Sequence, residues 1–324
     1  ARVGHTSQVL DDGRVFVIGG NDGNYANLNA YKGSRFYDPQ TNLWTSGPSM
    51  TYERYDLFSI KLNDGRILAI GGKTESGNTL YGSEIYDPKT DQWTIASTVG
   101  GYLNSDCIKM NDGRIMFGGG VGLSNNVKCY NPESGNWGAL VKMNHDHGQG
   151  MKLTLLNSGK ILATGGKKEW QKAELYDPVM DTWKDLPHLN EQREFHNTIL
   201  MENGNVLIAG GTFQKTSEYF DVVQESFIAL PDFFIASAGN DLIELDNGDI
   251  LMHGIGDVLD PTNTKCFQIY KPSTKTWSTI ITNIIGATGY QIQKLRKKII
   301  ILGEITVVLS IAILFFASLL DAGV

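Results

Sequence analysis

Basic, acidic and aromatic side chains recur a few residues ahead of short apolar runs in this chain. They are Arg2 and His5; Glu53, Arg54 and Tyr55; Asp106; His145 and His147; and Arg193, Glu194 and His196. Arginine forks match carboxylates, and a set of mixed polar groups suits a peptide or a sugar. Glu53, Arg54, Arg193 and Glu194 could also serve as acid and base groups on a sugar. His145 and His147 alternate about Asp146, so on a strand they would share a face. A metal needs at least one further ligand of fixed geometry, and the sequence names none, so no metal and no cofactor is assigned. No Ser-His-Asp set or Cys-His pair can be placed, so no catalytic residue is assigned. The run Gly118-Gly119-Gly120 lacks the following Gly-Lys-Ser/Thr of a phosphate loop.

The elements that must carry these residues repeat. A Gly pair ends an apolar run and is followed by Tyr-Asp-Pro and then Trp, as in VFVIGG…FYDPQTNLW, ILAIGG…IYDPKTDQW and ILATGG…LYDPVMDTW. The Tyr–Trp pairs are Tyr37 and Trp44, Tyr86 and Trp93, Tyr130 and Trp137, Tyr176 and Trp183, and Tyr270 and Trp277; an eroded copy reads as Tyr219 with Phe227. The second glycines are Gly20, Gly72, Gly120, Gly166 and Gly211, with Gly256 in a weakened copy. Such a period marks a repeat architecture. Each unit reads as four strands. Asp12-Gly13, Asp64-Gly65, Asp112-Gly113, Asn203-Gly204 and Asn247-Gly248 read as two-residue hairpin turns with positive φ at both residues. The continuous apolar second strand suits burial on both faces. Radial packing of such sheets leaves only short edges.

The Gly pair, the Tyr and Trp, and Arg-x-x-His before the first strand (Arg2…His5 and Arg193…His196, with Leu57 replacing His after Arg54) resemble kelch repeats. The resemblance covers residues 1 to about 283. It implies an all-β, kelch-type β-propeller of six clear four-stranded blades. Residues 1–303 form the propeller, with a degenerate seventh blade completed by 304–324. The alternative is six blades and a hydrophobic tail. Ile299 to Leu320 carries one charge, Glu304, after Lys297 and Lys298. That segment meets the length of a membrane span, while the repeat phase reaches Gly303.

Net charge is −7, with 28 basic and 35 acidic residues, which gives no nucleic-acid footprint. Three widely spaced cysteines form neither a disulfide framework nor a zinc pattern. They favour a reducing, cytoplasmic setting, or membrane anchoring if the tail is a span.

In a propeller, the loops before each first strand and after each second strand share one end of the channel, where the polar residues above would gather. The kelch resemblance implies a protein or peptide partner bound there, possibly a carbohydrate, with no reaction catalysed. Arg and Glu in such places can instead pair and brace adjacent blades. The alternative function is a carbohydrate-active enzyme: a sugar mutarotase or isomerase of the sialic-acid type, or a copper oxidase similar to galactose oxidase. The latter resemblance would require Tyr and His ligands and a Cys linked to Tyr. The chain has no Tyr-His dipeptide, and no following domain is expected to supply a further His.

Overall fold

The computed structural model describes residues 2–24, 28–98, 105–120, 125–212, 214–233, 241–254 and 266–280. They form six antiparallel four-stranded sheets, each built from consecutive strands. The first holds β1 (Thr6–Val9), β2 (Val15–Ile18), β3 (Ser34–Asp38) and β4 (Leu43–Ser46). The second holds β5 (Phe58–Lys61), β6 (Ile67–Ile70), β7 (Ser83–Asp87) and β8 (Gln92–Ile95). The third holds β9 (Asp106–Lys109), β10 (Ile115–Gly118), β11 (Asn126–Asn131) and β12 (Asn136–Lys142). The fourth holds β13 (Lys152–Leu155), β14 (Ile161–Thr164), β15 (Ala173–Asp177) and β16 (Thr182–Asp185). The fifth holds β17 (Asn197–Leu200), β18 (Val206–Ala209), β19 (Ser217–Asp221) and β20 (Ser226–Leu230). The sixth holds β21 (Asp241–Glu244), β22 (Ile250–Gly254), β23 (Cys266–Lys271) and β24 (Thr276–Ile280). The fold is the expected all-β propeller of six four-stranded blades. The expected seventh blade or membrane segment, and the boundary at 303/304, lie outside the described residues. No helix among the described residues is long and apolar enough to cross a membrane.

Two compact units divide the chain. One takes in Ala1–Leu103 and Tyr130–Gly138, the other Asn104–Cys129 and Ala139–Gly286. In the first, Phe16, Ile18 and Phe36 of one blade pack on Ile67, Ala69, Tyr86 and Trp93 of the next. In the second, the same arrangement sets Leu162 and Leu175 against Val206, Ile208 and Phe220. It also sets Leu207, Ala209 and Tyr219 against Ile250, Met252 and Trp277. All four residues of β2, β6, β10, β14 and β18 are buried. These are the continuous apolar runs of the sequence, covered on both faces as expected.

The hairpin turns differ from the expected two-residue form. Leu62 N donates to Arg66 O at 2.8 Å and Gly65 N to Leu62 O at 3.1 Å. The loop is therefore Asn63-Asp64-Gly65, three residues long, and only the glycine is left-handed, with φ +88°. A three-residue loop ending in a left-handed residue is the next most common hairpin. Asp64 is freed to accept Arg66 N at 3.1 Å.

The Tyr-to-Trp spacing has a local cause. The fifth residue after each aromatic is left-handed: Asn42, Asp91, Gly135, Asp181, Glu225 and Lys275. In three blades its side chain accepts the Tyr hydroxyl, as Tyr86–Asp91 at 2.8 Å shows. The turn returns the chain two residues later, so ring faces ring across β3–β4 and its equivalents. In the fifth blade the register pairs Phe220 with Phe227, also seven apart. The expected Tyr219 is one position off, because the Tyr-Phe-Asp order shifts the aromatic of the motif to Phe220.

Trp277 is 7% exposed, packs tilted against Phe233 with ring centroids 5.3 Å apart and donates to Ser217 Oγ at 2.8 Å. Trp93 is only half-buried. Trp277→Ala should cost about 3–5 kcal/mol and Trp93→Ala less. Chemical denaturation of both variants checks the order, and equal costs would contradict this packing.

Candidate functional site

Arg54 precedes β5 and is 1% exposed. Its Nη1 donates to Gly71 O and to Gly82 O, each at 2.8 Å. Its Nη2 lies 3.1 Å from Glu84 Oε1 on β7, a side chain with no exposure. Glu84 Oε2 also accepts Thr51 N at 2.6 Å. The second unit repeats the device. Arg193 Nη1 donates to Gly210 O and Thr216 O at 2.8 Å, and Nε to Glu218 Oε1 at 2.8 Å. Ahead of β13 the corresponding arginine is absent, and His147 takes its place. Its Nδ1 lies 2.6 Å from Gly165 O and its Nε2 2.9 Å from Glu174 Oε1. Gly165 O can only accept, so Nδ1 is the donor in that contact.

Each of these side chains therefore joins the carbonyl at the end of the second strand to a glutamate on the third. The glycine pair makes this approach possible. A Cβ on Gly165 would stand 2.4 Å from Arg193 O, and one on Gly166 2.2 Å from His147 O. Arg54, His147 and Arg193 are thus buried braces, not surface contacts for a partner. The sequence reading missed their glutamates. The signal was present, since Ser-Glu-Ile-Tyr, Ala-Glu-Leu-Tyr and Ser-Glu-Tyr-Phe repeat a glutamate two residues before the motif aromatic.

The remaining expected residues divide. His196 is 1% exposed and holds Thr164 Oγ1 at 2.9 Å through Nε2. Burial, and then the charge of Arg193, lowers its pKa well below the histidine range. Asp106 Oδ2 accepts Leu153 N at 2.8 Å, tying β9 to β13. His145 Nδ1 lies 2.9 Å from Glu169 Oε2, and its Nε2 3.4 Å from Asp185. The His145 and His147 nitrogens thus have separate partners and do not converge. No group of three or more His, Cys, Asp or Glu residues among the described residues could hold a metal. Glu53 and Tyr55 flank Arg54 half-buried, with Lys73 Nζ 5.5 Å from the Tyr55 ring centre. In the second unit Glu194 Oε2, Arg193 Nη2, His196 Nδ1 and Thr216 Oγ1 are buried without a hydrogen-bond partner among the described residues. In the first unit, Arg2 Nη1 donates to Gly19 O and Gly33 O at 2.7 Å. Burial, and then the Arg2 charge, lowers the His5 pKa to about 4.

Arg193→Ala should cost about 3–5 kcal/mol, because Glu218 is left buried and uncompensated. A loss below about 1 kcal/mol would mean the pair is not closed in solution. The histidines set the pH dependence. His5 and His196 stay neutral when folded but bind protons near pH 6.5 when unfolded. The unfolded state then binds more protons, so stability falls as pH drops from 6.5 towards 4. Urea midpoints across that range should decline, and His196→Gln should flatten the decline.

The Kelch motif model matches residues 62–100 of this chain, the stretch that holds β6, β7 and β8. Two galactose oxidase sequences of Gibberella zeae are 27% identical over 85 residues, 25% of this chain and 12% of those proteins. A fungal alcohol oxidase of the AA5 family, solved in complex with copper, superposes with a TM-score of 0.69 at 14% identity. That match covers 87% of this chain and 66% of the other, so the chain spans less than two thirds of the relatives it matches. The superposition speaks for the fold alone. The sequence kinship overturns the expected partner-binding module, since it lies with an enzyme. The burial of Arg54, His147, Arg193 and His196 removes four of that module's expected contacts. With the motif matched at residues 62–100 and one aromatic register repeated in the first, second, fourth, fifth and sixth blades, the repeats of this β-propeller are of the kelch type.

Proposed function

We propose that this chain is the propeller of a carbohydrate-active enzyme of the galactose-oxidase kind. The observation that carries the reading is the 85-residue kinship with galactose oxidase, in a chain whose blades superpose on a copper alcohol oxidase. The described residues do not fit a copper centre. No metal-capable cluster occurs among them. Burial pushes the Cys107 thiol up, and pushes Cys129 to about 11, so neither is a ready thiolate ligand. The chain's own residues hold loops in place. The Arg54 brace fixes a segment that carries half-buried Glu53 and Tyr55 in the first unit, and the Arg193 brace one that carries half-buried Glu194 in the second; polar groups held rigidly in this way can orient a sugar by its hydroxyls.

The test is calorimetric titration of the chain with galactose and other hexoses, with a peroxide assay run with and without added copper. Saccharide binding without peroxide is the expected result for a propeller whose described residues lack the metal ligands. Absence of both binding and turnover for every sugar would sink the reading.

A further inference from the structure

Four braces of the kind described above can be compared, and one lacks its anion. In the second, fourth and fifth blades the basic side chain closes on Glu84, Glu174 or Glu218. In the first blade Arg2 occupies the same cradle as Arg54. Each Nη1 donates to two glycine carbonyls, Gly19 and Gly33 at 2.7 Å for Arg2, Gly71 and Gly82 at 2.8 Å for Arg54. Each Nη2 stands 4.0 Å from the position of a Cβ on the second glycine, Gly33 or Gly82. The strands agree in register. Val17 pairs with Arg35 on β3 where Ala69 pairs with Glu84 on β7. The preceding serines make the same bond, Ser34 Oγ to Pro48 O and Ser83 Oγ to Ser97 O, each at 2.6 Å. The residue in the glutamate's place is therefore Arg35.

Arg2 thus meets the charge of a second arginine where the other braces hold a carboxylate. Neither has an ion-pair partner among the described residues. Burial, and then the Arg35 charge, lowers the Arg2 pKa, the direction expected for uncompensated like charges. Arg35 is exposed where Glu84 is fully buried, so the position opens to solvent. In a chain of net charge −7 a doubly basic slot is not part of a general basic surface. The Arg2 guanidinium also lies 4.8 Å over the Tyr31 ring. Tyr31 is fixed at both ends of its peptide, by Gly20 O at 2.8 Å and Arg54 N at 3.2 Å.

We propose that Arg2 and Arg35 form a carboxylate-binding slot for an acidic sugar, a hexuronate, with Tyr31 beside it. The sugar part rests on the carbohydrate-active reading. The carboxylate part rests on the comparison of blades alone. The ligand's carboxylate takes the place of the missing glutamate on the Nε–Nη2 edge of Arg2, and Arg35 pairs with it from the open side.

Calorimetric titration of the full 324-residue chain with galacturonate, galactose and acetate at low salt tests this. Galacturonate should bind about tenfold or more tighter than galactose, the effect of one charge-assisted pair, and should weaken with added salt. Arg35→Glu supplies the internal carboxylate of the other blades. It should raise the melting temperature and abolish galacturonate binding. Arg35→Ala, which installs no new pair, should lose about tenfold in affinity. Galacturonate binding no better than galactose, or unchanged in both variants, would overturn the slot. Acetate competing as strongly as galacturonate would overturn its sugar part only. Absence of binding by every neutral sugar with galacturonate still bound would count against the carbohydrate-active reading and leave the slot standing.

Discussion

In the second, fourth and fifth blades a buried basic side chain closes on a buried glutamate. A kelch blade ends its second strand in two left-handed glycines, such as Gly71 and Gly72, and an end of that shape leaves carbonyls pointing away from the ladder. Buried carbonyls need donors. One guanidinium supplies them: Arg54 spans Gly71 O and Gly82 O, then turns its other edge to Glu84. The glutamate in turn takes the amides of Thr51 and Tyr52. Four backbone groups are thereby satisfied around one charge pair, which offsets the desolvation that makes isolated buried pairs unfavourable. His147 shows that the geometry matters more than the residue type, because an imidazole one position earlier reaches the same carbonyl and the same glutamate position.

At the opposite ends of the strands the constraint is conformational. The left-handed residue after the aromatic costs little in Gly135 and more in Asn42, Asp91 or Asp181, whose short polar side chains tolerate that region. Those side chains also accept the tyrosine hydroxyl, so the strained residue stabilises the aromatic beside it. Glu225 and Lys275 take the same conformation without that bond among the described residues. In the fifth blade the partner ring is Phe220, which has no hydroxyl to place. The indoles then bridge blades: Trp93 reaches Pro48 O at 3.2 Å in the first unit, and Trp277 reaches Ser217 in the second.

Much of this was legible in the sequence. Glycine pairs, Asp-Gly turns and aromatic spacing are local signals, and each marked a strand end that the structure contains. What escaped was either a shift of one residue or a contact distant in sequence. Tyr219 and Phe220 are adjacent aromatics, and only the register separates them. The turn beginning at Asn63 needed the length of the loop, which the dipeptide Asp64-Gly65 does not carry. The partners of the buried arginines lie far along the chain: Arg54 and Glu84 are 30 residues apart and Arg193 and Glu218 are 25 apart. No local pattern joins such pairs. Aligning the repeats on their aromatics would have done so, since glutamate falls two residues ahead in three blades and arginine in the first.

The same alignment separates scaffold from chemistry. A buried brace with both charges compensated, such as Arg193 with Glu218, has spent its electrostatic capacity on the fold and offers little to a ligand. A group of the same type in the same cradle, facing Arg35 instead of glutamate, keeps that capacity. Residue type alone made Arg2, Arg54 and Arg193 look alike. Their difference is set by the single side chain two residues ahead of the motif aromatic, which is Glu84 or Glu218 beside Arg54 and Arg193 and Arg35 beside Arg2. Functional potential in a propeller of this kind is therefore read best at the blade that departs from its neighbours' pairing, because the backbone there is already held by the shared carbonyl contacts and only the charge is left open.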